Sequence, residues 1–148
     1  MDDIDRTILD LLIEDSRLSF AEIGRQVGLS RAQSRERIQA LVEDGVIEKF
    51  TTVVNPNKMG RMTSAFIDAR IGPSHVQDFA ERLAVAPEVV SLYLMGDMQS
   101  LHIHTLTDSQ ADLDAFVSRY FLGHEAVLSI ECKYLLRRVK HRRGGPRI

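Results

Sequence analysis

Two serines, Ser19 and Ser30, each stand three residues ahead of a side chain that can bond back to them, Glu22 and Gln33. In such a capping box the hydroxyl accepts from the backbone N–H three positions on, and the Glu or Gln accepts from the serine N–H, so each pair marks a helix start. Gly28 suits the left-handed end of the first helix, and only Gly28 and Leu29 separate it from Ser30. Two helices joined so tightly must cross at a steep angle, and this constrains the fold more than any other feature of the chain.

The inner faces follow helical spacing: Phe20, Ile23 and Val27 on the first of the pair, Ile38, Leu41 and Val42 on the second, which runs to about Asp44. Ahead of them Ile4, Ile8, Leu9, Leu11 and Leu12 mark another helix from Asp3 to Asp15, with Asp2 and Asp3 placed to cap it and to complement its dipole. After Gly45, a C-cap, the stretch Val46 to Val54 is rich in β-branched and aromatic residues, as a short hairpin or wing would be. Three helices and a wing are expected over residues 1–54.

Asn55, Pro56, Asn57, Lys58 and Gly60 break the pattern, and a linker is expected over residues 55–61. Beyond it the sequence reads strand (Thr63 to Ile71), helix (Ser74 to Val85), strand (Val89 to Met95), strand (Leu101 to Leu106), helix (Gln110 to Leu122) and strand (Val127 to Leu136). Pro73-Ser74 starts the first of these helices, Pro87 stops it, Gly96-Asp97 turns the central hairpin and Asp108 is placed to cap the second helix. The order βαββαβ is ferredoxin-like. The fold expected is therefore α+β, a winged helix-turn-helix followed by a ferredoxin-like domain with an antiparallel sheet over residues 62–148. Both helices on one side leave the other sheet face bare, and a second copy of the chain is the default cover.

Composition narrows the class. With 44% hydrophobic and 27% charged residues the chain is an ordinary globular protein, neither fibrous nor disordered. No basic and apolar leader opens it and no long uncharged apolar run occurs, so a cytoplasmic protein without membrane contact is expected. Its single cysteine, Cys132, excludes an internal disulfide or a cysteine metal cluster and reads as a buried thiol. The net charge of −2 argues against nucleic-acid binding, but its distribution argues for it. Arg17, Arg25, Arg31, Arg35 and Arg37 face only Glu22 and Glu36 over the same stretch, and Arg137, Arg138, Lys140, Arg142, Arg143 and Arg147 end the chain. That tail either adds phosphate contacts or is a solubilising end.

The second helix of such a pair enters the major groove and meets base edges with its outward side chains. Double-stranded DNA is thus the expected partner. The candidate contacts are Arg17 and Arg25 to phosphate, and Ser30, Arg31, Gln33, Arg35, Glu36 and Gln39 on the recognition helix. Arg35 suits guanine, and Gln33 or Gln39 suits adenine. Arg37, nearer the inner edge, is either structural or a contact.

His102 and His104 alternate with Leu101 and Ile103, so both should project from the bare sheet face near Ser91, Tyr93 and Met95. They are interface residues or part of a site for a metal, a tetrapyrrole or a carboxylate. No third metal ligand, phosphate loop, nucleophile elbow or carboxylate pair is evident. No catalytic residue, metal or cofactor is expected.

The chain resembles the leucine-responsive and asparagine-synthetase regulator (Lrp/AsnC) family of bacterial and archaeal transcription factors over essentially its whole length. The residues that carry the resemblance are Asp5, Arg6, Ile8 and Leu9; the run from Ile23 to Ser30; Arg37, Ile38 and Leu41; Gly45-Val46-Ile47; and Pro56 before Gly60. The resemblance implies a DNA-binding N-terminal domain and a C-terminal domain that dimerises through sheet faces. It also implies assembly into tetramers or octamers and a small effector, usually an amino acid. The corresponding effector segment here is Met95, Gly96, Asp97, Met98, Gln99 and Ser100, joined by His102 and His104. Met95 stands where the family usually has a threonine and Gln99 where it has an aspartate, and the effector the resemblance implies is a small metabolite, an amino acid or a related compound, bound at interfaces of the C-terminal domain. Ser34 likewise replaces a usual apolar residue, to loosen packing or to bond locally. Two other functions share this architecture: a tetrapyrrole decarboxylase of the haem pathway and an effector-independent DNA-organising protein.

Overall fold

A computed structural model describes residues 1–55, 58, 60, 63–137 and 139. Most of the expected linker and the basic tail beyond Arg137 lie outside the described residues. Chain contacts divide these residues into two compact units, Met1–Val54 and Asn55–Val139.

The first unit holds α1 (Asp3–Glu14), α2 (Phe20–Val27) and α3 (Arg31–Glu43). Each opens on a capping box. Asp2 and Asp5 exchange side-chain to backbone bonds at 2.8 and 2.9 Å, Ser19 and Glu22 at 2.8 and 3.3 Å, and Ser30 and Gln33 at 2.9 and 3.2 Å. The core consists of Ile8, Leu9, Leu12, Ile23, Ile38 and Leu41. Gly28 takes φ 73°, a left-handed cap that a side chain would strain. The backbone N–H groups of Gly28 and Leu29 both donate to the Gly24 carbonyl, and the chain turns at once into α3.

The expected wing is corrected: residues 45–55 contain no strand. A strand needs a ladder partner for its N–H and C=O groups, and β-branched composition alone does not supply one. Instead the Ile47 N–H donates to the Leu41 carbonyl at 2.9 Å, and the Ile47 side chain packs on the helical core.

The second unit runs β1 (Thr63–Ile71), α4 (Val76–Ala84), β2 (Val89–Leu94), β3 (Ser100–Thr107), α5 (Gln110–Tyr120) and β4 (Val127–Tyr134). Its strands form one antiparallel sheet in the order β2-β3-β1-β4. Alternation decides the faces. Ala65, Ile67, Ala69 and Ile71 of β1 and Leu101 and Ile103 of β3 are buried with Phe79, Leu83, Leu113 and Phe116 of the two helices. Two caps differ from expectation. Ser109, not Asp108, caps α5 by accepting from the Asp112 N–H at 3.1 Å. α4 begins at Val76 with His75 in the cap position and no side-chain cap bond, and the Ser74 hydroxyl bonds the His75 ring at 2.9 Å.

Candidate nucleic-acid interface and hairpin site

The close approach of α2 to α3 at the turn involves two small residues, Gly24 and Ser34. Gly24 is so close to the turn that a methyl group there would lie 2.5 Å from the Leu29 carbonyl oxygen and 2.9 Å from the Ser34 hydroxyl. Ser34 is fully buried, and its hydroxyl donates back to the Ser30 carbonyl at 3.0 Å. A hydroxyl that bonds within its own helix is satisfied without a distant partner. Of the two outcomes open to Ser34, local bonding is the one found.

With Ser34, Ile38 and Leu41 turned inward, the opposite side of α3 is exposed. Arg31, Ala32, Arg35, Glu36 and Gln39 line a shallow concave surface together with Phe20 of α2. Phe20, expected on the inner face, serves both sides: it packs on the core and borders this surface. Gln33 is outside that group, its Oε1 accepting from the Ser30 N–H. Gln39 donates to Glu43 at 3.1 Å. Arg25 is exposed on α2, and Arg17 is 91% exposed with Asp15 3.7 Å away. The Ser19 hydroxyl and N–H hold the Glu22 carboxyl below its ordinary range, with a smaller contribution from Arg25.

Arg37 is structural. Its Nη1 donates to Asp5 at 2.7 Å and Asp2 at 2.8 Å, binding α3 to the first turn of α1. The bonds to Asp5 and Asp2 raise the Arg37 pKa, and Asp2 is lowered by the Asp5 backbone N–H first and by Arg37 second.

In the second unit the β2–β3 hairpin closes on Asp97. One carboxylate oxygen accepts from the Gln99 and Ser100 N–H groups at 3.0 and 2.8 Å, and the other accepts from the Ser100 hydroxyl at 2.5 Å. The Ser100 hydroxyl and these two N–H groups lower its pKa to about 2. Met98 takes φ 58° at the tip, a cost for a side chain, and its N–H donates to the Met95 carbonyl. Met95 and Met98 are exposed. Arg70, which the sequence did not single out, donates two long bonds of 3.3 and 3.4 Å to the Gln99 amide oxygen.

The carboxylate's depressed pKa makes a testable pH effect. Unfolded, Asp97 titrates near 3.8; folded, near 2. Its contribution to hairpin order is present above about pH 4 and is lost as pH falls through 2. Amide protection at Gln99 and Ser100, taken as exchange relative to the intrinsic rate at each pH, should hold above about pH 4 in wild type and fall as pH drops towards 2. In Asp97→Ala protection should be low at every pH, and equal protection in the two proteins would refute the role of Asp97.

His102 and His104 do project from the open sheet face, but they do not meet at a common point. His102 Nδ1 is 2.6 Å from Asp68 and His104 Nε2 is 2.7 Å from Ser64. Phe66 stacks on both rings, with centroids 4.5 Å from His104 and 5.6 Å from His102. Antiparallel pairing of β1 with β3 creates this set by placing Asp68 opposite His102 and Phe66 opposite His104. Ser64, Phe66, Asp68 and Arg70 were not singled out from the sequence; alternation along β1 is the signal that could have placed them on one face, while the register that brings them to β3 was not legible. Among the described residues no group of three or more His, Cys, Asp or Glu side chains is placed to hold a metal ion.

A capped helix-turn-helix with an exposed basic helix, followed by a ferredoxin-like α+β domain, defines a class of transcriptional regulators. Comparison narrows the class. Residues 1–42 match the AsnC-type helix-turn-helix domain and residues 64–144 match the Lrp/AsnC ligand binding domain. The chain belongs to the Lrp/AsnC family of transcriptional regulators. It is 33% identical over 135 residues to the uncharacterized HTH-type transcriptional regulator PH0140 of Pyrococcus horikoshii, covering 91% of this chain and 85% of that protein. It is 35% identical over 123 residues to the HTH-type transcriptional regulator Rv2324 of Mycobacterium tuberculosis, covering 80% and 81%. Among solved structures, an AsnC family transcriptional regulator from Agrobacterium tumefaciens aligns with TM-score 0.84 and 30% identity over 96% of this chain and 94% of that one. The transcriptional regulator NMB0573 of Neisseria meningitidis, solved as an L-Met complex, aligns with TM-score 0.88 at 24% identity over 99% and 96%. No helix among the described residues is long and apolar enough to cross a membrane.

Proposed function

We propose that this chain binds double-stranded DNA sequence-specifically as a homo-oligomer and that a small ligand at its C-terminal domain modulates the binding. The observation that carries the DNA reading is the exposure of Arg31, Arg35, Glu36 and Gln39 on one concave surface of a capped α3. Residues 1–54 would meet the DNA, residues 62–148 would sense and assemble, and residues 55–61 would join them. Because residues 1–54 hold seven basic and eleven acidic side chains, one copy offers only a local patch, and affinity must come from several patches on one assembly. The half-polar open sheet face, with Phe66 and Tyr93 among its histidines, is the surface a second copy would cover. The hairpin around Met95 to Ser100, where Met95 and Gln99 stand in place of the family's usual threonine and aspartate, would help hold a small metabolite, an amino acid or a related compound. Family membership favours a regulator over the tetrapyrrole decarboxylase.

Gel-shift titration on the promoter of its own gene, over a range of salt, tests the reading. Binding should weaken steeply with salt. Arg25→Ala should weaken specific and nonspecific duplexes alike by about tenfold, whereas Arg35→Ala should compress the ratio between them by at least as much. Equal specificity ratios for wild type and Arg35→Ala would remove α3 from the role of reader.

A further inference from the structure

Reading a base edge needs a donor or acceptor that the protein has not already used. The glutamine amide pairs with adenine by accepting from N6 and donating to N7 together. In α3 neither glutamine has both halves free. Gln33 Oε1 accepts from the Ser30 N–H, and Gln39 Nε2 donates to Glu43. Turning Gln33 to a base would give up its bond to the Ser30 N–H at the helix start, a cost subtracted from what the base pairing adds.

Arg35 and Glu36 are differently placed. Both are exposed on the concave surface with Ala32, and among the described residues neither side chain has a hydrogen bond or ion pair. A guanidinium is donor-only and matches the O6 and N7 acceptors of guanine, while a carboxylate is acceptor-only and matches the N4 amine of cytosine. Building on the DNA-binding reading above, we infer that the recognition helix reads G·C pairs, guanine through Arg35 and cytosine through Glu36. Gln33 then serves as the cap of that helix and not as an adenine reader.

Selection of bound duplexes from a random library by the full chain, repeated with Arg35→Ala, Glu36→Ala and Gln33→Glu, tests the assignment. Glutamate at position 33 keeps the capping acceptor and removes the amide donor. Wild type should enrich a duplex with guanine and cytosine at the contacted steps. The guanine preference should fall on the order of tenfold in Arg35→Ala, and the cytosine preference likewise in Glu36→Ala. Gln33→Glu, with its added charge, should bind more weakly yet keep both preferences. Enrichment of adenine at a step whose preference disappears in Gln33→Glu overturns the base assignment and leaves DNA binding standing. A chain that enriches no duplex overturns the DNA-binding reading itself, and the base assignment with it.

Discussion

Gly24→Ala should destabilise the N-terminal unit by about 3 kcal/mol, the upper part of the range for overpacking a core. The sign is the reverse of the usual one, since alanine in a helix interior is ordinarily better than glycine by about 1 kcal/mol. Here the added methyl group would meet the Leu29 carbonyl oxygen at 2.5 Å, and that atom belongs to the backbone of the turn. Relief requires α2 and α3 to separate, which changes the crossing angle that presents Arg35. Against total stabilities of roughly 5–15 kcal/mol this is a large fraction for a unit of three short helices. Far-UV circular dichroism should show an earlier loss of helix in the variant on heating. An unchanged or higher midpoint would mean that the close approach is not there. Ser34→Ala is a useful contrast, because it leaves Gly24 and the Leu29 turn as they are and loses only a bond within one helix.

The second large effect belongs to the other unit. Phe116→Ala should cost about 3–5 kcal/mol, the range for deleting a buried aromatic ring and leaving a cavity. Phe116 has no exposed surface and packs against Tyr120, with ring centroids 4.9 Å apart, and against Phe121 at 6.1 Å. Leu122, 62% exposed on the same segment, should tolerate alanine within about 0.5 kcal/mol. The sequence provides the probe: there is no tryptophan, and all three tyrosines, Tyr93, Tyr120 and Tyr134, lie in the second unit. Urea unfolding followed by tyrosine fluorescence should therefore report on the second unit and shift strongly in Phe116→Ala. A tyrosine midpoint unmoved by Phe116→Ala would contradict the packing described for α5.

The different legibility of the two units follows from the range of the interactions involved. Capping boxes span three residues, so Ser19 with Glu22 and Ser30 with Gln33 could be read directly, and so could the two-residue turn at Gly28-Leu29. Apolar spacing likewise revealed the order of the six elements in the second unit, with the cap of α5 at Ser109 in place of Asp108 and the start of α4 at Val76 in place of Ser74. The wing failed for a complementary reason: β-branched composition states a preference, but pairing requires a partner strand, and none was encoded within those nine residues.

By itself, then, the sequence determined the three capped helices, the tight turn between the last two, the βαββαβ order and the candidate reading helix. All of these depend on atoms a few positions apart along one chain. Only the tertiary structure decided that Ser34 packs on Gly24, that Arg37 bonds Asp2 and Asp5 across more than thirty residues, and that Arg70 reaches Gln99. It also decided which polar groups on α3 are already used, a question that residue type cannot answer. A crossing angle and a strand register set those contacts, and both are properties of packed elements, fixed only when the whole core has chosen one arrangement.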